Sequence, residues 1–489
     1  MKSSEYRRYA VLLPMLIATA GGGVARAADS YSTPAPAPDC PSLGWSEGLA
    51  NYLKTDYPFP TSDTANVPTP DCNFHEWSWE AFVWATALVP GPDGTTVPRF
   101  MTLPTEEDLL LPNNDAGTVH PRPLKLAARS LVPHGSNGFT EGAGAIVEAD
   151  GKMLVAKNGY PVYASVHLNP SYFATAQKNL IINGGYTSQP AASTFSVGAA
   201  VFKATWLRLD ANEKPPAGAY TTKAEVPVLE TVTIPGGVTI KPVAGKFVTV
   251  TVALVGLHVV GYTENHPEFL WGTFEHAGNS PESPDNTFST SGSSPKSYTF
   301  YKANTSYAHV NKASKPPHLK LNAATQKLTP VNNVVLENQT GGENQPNGVG
   351  NILTLNTQAQ GFLKGLKTPQ ATFATYKLIG TVWMLPNTYN LQSDQTSAVG
   401  SVNLANATAE TFVQYPTNTS MSKVQNCFLC HNPTSYSFQK VPPKLPDRLI
   451  ALSHVLSVGT PYAVPNQISG AVTGPKAIDE TRVPEPEAK

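Results

Sequence analysis

Four cysteines in 489 residues and a charged fraction of only 14% set the first limits on this chain. So few cysteines exclude a disulfide-dense scaffold, the usual answer when a secreted chain cannot build a core. The charged fraction falls well below the roughly 25% of an average globular domain. Lys plus Arg number 34 against 35 for Asp plus Glu, which excludes a basic nucleic-acid binder or a polybasic membrane anchor. No apolar run reaches the roughly 20 residues that a membrane-spanning helix requires. A Gly-x-Ser-x-Gly elbow, a phosphate loop and a His-Glu-x-x-His helix are all missing, and with them the chemistries those motifs serve. No repeat of solenoid or propeller period is visible.

Proline and glycine, by contrast, are plentiful, at 45 and 37 residues. They favour turns over long helices, and the expected fold is mainly β with short helices, a β-rich α+β class. At the N-terminus, Arg7 and Arg8 precede the apolar run Ala10 to Ala20, and Ala25-Arg26-Ala27 places small residues around a cleavage position. Residues 1–27 therefore read as a signal peptide, with export to the periplasm or beyond. Arg7-Arg8 leaves twin-arginine export as an alternative route to the same compartment.

The remainder divides on composition into a β-rich body over 28–413, a short segment over 414–456, and a Pro-rich, charged tail over 457–489. Repeated prolines in 28–70 predict an extended strip laid over the body. Phe74 to Trp84 carries Trp77, Ala81 and Trp84 at helical spacing, together with Trp79, and is predicted helical. Strands are expected at Phe195–Leu209, Tyr220–Ile234 and Lys246–Tyr262. The apolar run Phe247 to Val260 should pass through the middle of a sheet. A further strand should start at Phe269, after the break His266-Pro267. Residues 277–350 read as surface loops, Gln358–Leu366 as a helix, Ala374–Met384 as a strand, and Asn403–Val413 as a capped short helix.

The cysteines form two unlike pairs. Cys40 and Cys72 lie near the mature N-terminus of an exported chain, where a disulfide would contribute roughly 3 to 4 kcal/mol by closing the intervening loop. Asn426-Cys427-Phe428-Leu429-Cys430-His431 has the spacing at which two thiols add to the vinyl groups of one haem and the next histidine ligates its iron. A redox disulfide and a zinc site are the competing readings. The first expects an α/β setting, and the second needs a further ligand that no second cysteine pair supplies.

On this motif and its exported setting, residues 421–454 resemble the c-type cytochromes. The body resembles uncharacterised bacterial periplasmic proteins that pair a large β-rich region with a terminal Cys-x-x-Cys-His. That likeness is carried by His75-Glu76-Trp77-Ser78-Trp79, by Val255-Gly256-Leu257-His258 and by Trp271-Gly272-Thr273-Phe274-Glu275-His276, and it implies no particular activity. The resemblance implies one covalent haem c at Cys427, Cys430 and His431. Cytochromes of this kind usually supply a downstream methionine as sixth ligand, and here none follows Met421. His454, in the apolar run Ile450 to Leu456, is the first candidate for that position. His75, His258, His276 and Met421 stand behind it, and an empty position is the remaining alternative.

The leading expectation is a periplasmic electron-transfer protein with a redox partner protein. The alternatives are a haem oxidoreductase or peroxidase with its pocket between haem and body, and a haem-stabilised binding or sensing module. Residues 414–456 are too few to bury a haem alone, so apolar residues of the body are expected to cover part of it, with Trp77, Trp79, Trp84 and Trp271 as candidates and ordinary core packing as their alternative.

Overall fold

The computed structural model describes residues 44–62, 71–91, 94–109, 124–126, 153–178, 194–234, 237–283, 288–314, 318–338, 340, 348–384, 398–414 and 427–431. The helices are α1 (Trp45–Tyr52), α2 (Asp71–Thr86), α3 (Glu106–Leu109), α4 (Pro170–Gln177), α5 (Gly348–Gly365) and α6 (Cys427–Cys430). The strands are β1 (Leu88–Pro90), β2 (Thr96–Pro98), β3 (Val162–Leu168), β4 (Ala200–Leu209), β5 (Thr221–Ile234), β6 (Gly237–Thr263), β7 (His266–His276), β8 (Lys320–Asn322), β9 (Lys327–Thr329), β10 (Tyr376–Met384) and β11 (Ala398–Gly400). β1 pairs with β2 and β8 with β9, while seven strands build one antiparallel sheet in the order β11-β10-β7-β6-β4-β3, with β5 also on β6. The chain is mainly β, with few helices, as its composition predicts. Among the described residues no helix is long and apolar enough to cross a membrane.

β6 runs through the middle of this sheet because its apolar residues have partners on both faces and both edges. β4 takes one edge along Thr251–Gly261, while the other is shared by β5, up to Ala253, and β7, from Gly256. Where β5 gives way to β7, side chains replace the ladder. The Tyr376 hydroxyl donates to the Leu254 carbonyl and Asn279 Nδ2 to that of Val255, so neither buried acceptor is orphaned.

Alternation along the strands splits the core into two layers. Leu254, Leu257, Leu270, Phe274 and Trp383 join one, with α2 and α5; Val255, Val260, Trp271, Val382 and Met384 join the other. On the first face α2 lies close to the sheet, and a Cβ at Gly272 would stand 2.4 Å from Ser78 Oγ. Trp79 Nε1 donates to Asn356 Oδ1 of α5, and Asn356 in turn bonds both backbone groups of Leu378 on β10. The second face is covered by irregular chain, including Phe300, Val334, Leu336, Leu404, Ala407 and Phe412.

Several sequence expectations need correction. The Pro-rich strip is interrupted by α1, whose Trp45 and Leu49 turn inward. α5 starts ten residues before Gln358, because tertiary contacts on Ile352 and Leu355 extend it. Residues 277–350 are mostly irregular chain, as expected, but Phe300, Tyr301, Val334, Val335 and Leu336 are buried there, and composition alone does not reveal such packing. β7 begins at His266, not Phe269, since Pro267 is accommodated in a bulge. Asn403–Val413 forms turns and a 3-10 turn at Thr411–Val413, with Asn406 bonded to the sheet beneath.

Candidate functional site

The Cys-x-x-Cys-His motif folds as one helical turn. α6 spans Cys427–Cys430, and the His431 amide donates to the Cys427 carbonyl at 2.8 Å. Positions i, i+3 and i+4 of a helix share a face, so this turn brings the two cysteine positions and the histidine position together. Cys427 is a thiol outside any disulfide and is half-buried. Phe428, next in sequence, is 2% exposed and packs in the second core layer, so it fastens the turn to the body.

Its main wall is Trp271 of β7. The Trp271 ring lies 4.3 Å from the His431 ring at 39°, and 6.0 Å from that of Phe428 at 70°. The indole is held in turn, since Trp271 Nε1 donates to the Glu268 carbonyl at 2.9 Å. This is possible because Pro267, Glu268 and Phe269 together face the single residue Tyr262 across the ladder. Such bulges re-aim side chains. Phe269 takes a left-handed φ of 66°, a conformation that costs a bulky residue about 1 to 3 kcal/mol. Its ring is offset by contacts with Phe195, Tyr262 and Trp271.

The turn suits a covalent haem: a thiol outside any disulfide, a second cysteine one turn on, an adjacent imidazole and an apolar wall already in place. No family model matches the chain, and neither a characterised protein nor a solved structure does. Among the described residues no group of three or more His, Cys, Asp or Glu could hold a metal ion by itself.

Of the four tryptophans expected near the motif, only Trp271 meets it. Trp77, Trp79 and Trp84 belong to α2 and the first core layer. Trp79 packs on Phe82 and Phe274, and Trp84 stacks on Phe202 under Arg99. They are core because α2 lies across the face opposite Trp271, a placement that helical spacing does not encode.

Of the expected ligands, His276 is excluded by its bonding. Its Nε2 donates to the Ala217 carbonyl and its Nδ1 accepts from the Gly278 amide, so both nitrogens are committed. His258 Nε2 stands 3.3 Å from Glu410. Burial alone would raise the Glu410 carboxyl, but facing His258 it is held below its ordinary value. His75 is buried in α2 with its ring 5.7 Å from Trp383. Cys72 is buried in the same helix. His454, Met421 and Cys40 lie outside the described residues.

Three carboxyls, two buried and one half-buried, give this body a pH signature. Burial pushes Glu275, Glu80 and Glu337 up to about 7. A raised carboxyl pKa means that the folded chain holds protons the unfolded chain has lost, so stability falls as pH rises from about 4.5 toward 7. Burial lowers His167, to about 4, and also His276; these act in the opposite sense below the ordinary histidine value. The carboxyls outnumber them and act alone between about 6.5 and 7. The melting temperature should therefore drop between pH 5 and pH 7.5, and Glu275→Gln should flatten that slope. An unchanged slope in the variant would remove Glu275 from the account.

Proposed function

We propose that this chain is an exported c-type haem protein that passes single electrons to and from a redox partner protein, with one haem at Cys427, Cys430 and His431. The observation that carries the reading is the single helical turn bearing all three motif positions, docked on Trp271. When bound, the haem supplies a one-electron iron couple. The residues around it have separable tasks. Cys427 and Cys430 would hold the haem through thioether bonds to its vinyl groups, where a dissociable cofactor would be lost. His431 would ligate the iron. Trp271, in contact with that imidazole, restricts its rotation and keeps water from one flank.

The body serves as the docking and shielding surface, residues 1–27 direct export, and Cys40 pairs with Cys72 to pin the N-terminal strip. His454 is the choice of the sequence for the second axial position.

Isolation of the mature protein from a host competent for cytochrome maturation tests the reading. One haem per chain by mass, with a haemochrome spectrum of thioether-linked haem, is the expected result. A colourless product of apoprotein mass would end it. Cyanide or peroxide added to the ferric protein should produce no rapid spectral change. A rapid change would favour the oxidoreductase alternative.

A further inference from the structure

A line of aromatic contacts leads away from the motif along the second face of the sheet. Trp271 stands 4.3 Å from the His431 ring and 6.2 Å from that of Phe269, which it meets edge-on. Phe269 in turn meets Tyr262 edge-on at 5.9 Å. Trp271 and Phe269 are buried, whereas Tyr262 is half-buried. The line therefore starts at the histidine of the motif, runs through the core layer that holds Phe428, and ends at the surface.

Each ring in the line is held in place. The Glu268 carbonyl fixes the Trp271 indole. Phe269 sits between Trp271 and Tyr262 in its left-handed conformation at the bulge. Glycine or asparagine would adopt that conformation with less strain, yet neither carries a ring to join Trp271 to Tyr262. Strain kept at such a position points to a use for the side chain. The Tyr262 amide donates to the Ala199 carbonyl at 2.9 Å, and its carbonyl accepts from the Gly198 amide at 2.8 Å, which ties it to the turn before β4. The first core layer also holds many rings, Trp77, Trp79 and Trp84 among them, but it lies on the face opposite the motif.

Rings in contact couple electronically better than saturated side chains, because their π orbitals overlap at accessible energies. Where the line surfaces, the rim suits a brief encounter. Val197, 46% exposed, precedes the glycine that bonds Tyr262, and the exposed Glu264 follows in the turn to β7. Electron-transfer encounters are among the smallest protein interfaces, and a rim with one apolar contact and a flanking carboxylate is enough for one.

We infer that electrons enter and leave the haem on its His431 side, along Trp271, Phe269 and Tyr262, and that a one-electron redox protein makes its contact at the rim of Val197, Tyr262 and Glu264. The inference rests on the haem reading above and gives it a port of exchange. One electron moves; no bond forms or breaks, and no proton is transferred.

The test uses haem-loaded protein with a photoactive ruthenium polypyridyl complex attached at Glu264→Cys or, as a control, at Leu353→Cys. Leu353 is 51% exposed on α5, which packs on the other face of the sheet. A flash of light makes the complex reduce the ferric haem by one electron, a sacrificial amine re-reduces the complex, and haem absorbance gives the rate. From Glu264→Cys, Trp271→Leu and Tyr262→Leu should each slow the transfer several-fold, Tyr262→Leu with the haem spectrum unchanged. Trp271→Phe and Tyr262→Phe keep a ring and should retain most of the rate. From Leu353→Cys the rate should not respond to Tyr262→Leu. If Trp271→Leu fails to load haem, Tyr262→Leu at the half-buried end of the line decides the matter. Haem-loaded Tyr262→Leu with an unaltered rate from Glu264→Cys would overturn the route and leave the haem reading intact. Absence of haem from the wild type would overturn both.

Discussion

Mature protein carrying Cys427→Ser and Cys430→Ser is expected to lose its covalent haem completely and to keep its β-rich body folded. The first half follows from bonding: a serine hydroxyl does not form the thioether, and His431 alone leaves a cofactor free to dissociate. Each single variant should retain one linkage, with a correspondingly altered haemochrome spectrum. The second half follows from where stability resides. Most of the described core lies in two layers on either side of one seven-stranded sheet, and α6 contributes Phe428 and the half-buried Cys427 to it. Neither serine replaces Phe428. What the body loses is the stabilisation that any tightly bound group confers on the folded state, so the melting temperature should fall while the transition stays cooperative. Mass spectrometry, haemochrome spectra and thermal unfolding read the two halves separately. An unfolded double variant would favour the alternative in which haem serves chiefly to hold the structure together.

Asn406→Ala should be among the most destabilising single substitutions in the body, at about 3 to 5 kcal/mol, because it strands several buried groups at once. Asn406 is fully buried and uses its whole hydrogen-bonding capacity. Its Nδ2 donates to Thr273 Oγ1 and to the Phe274 carbonyl, and its Oδ1 accepts from the amide and the hydroxyl of Thr408. The Asn406 amide in turn donates to Glu410, the neighbouring Ala407 amide donates to Glu275, and Thr408 meets Thr205 on β4. This network fastens residues 403–413 to β4, β6 and β7. Alanine would leave the Phe274 carbonyl and the Thr408 amide unpaired in a region without space for water, since a Cβ at Gly256 would already stand 2.7 Å from Thr408 Oγ1. Chemical denaturation of the variant measures the loss. A change below about 1 kcal/mol, the net worth of one ordinary hydrogen bond, would show that the segment is held by its apolar residues Leu404, Ala407 and Phe412 instead.

Local sequence carried the β-rich class, the central course of Phe247 to Val260 and the helix across Phe74 to Trp84, and it is the source of the proposal for Cys427, Cys430 and His431. In each case neighbours along the chain hold the information: alternation, helical spacing, or three motif positions within five residues. The bulge over residues 267–269 was not legible, because a histidine followed by proline reads as a break between strands. Nor could the chain separate Trp271 from the three tryptophans of α2, since all are large, apolar and buried. What separates them is the face of the sheet on which each lies. Only folding brings Glu268, Trp271 and residues 427–431 together across more than 150 positions of sequence, and contacts at that range depend on how the sheet is closed and covered, which composition and periodicity do not specify.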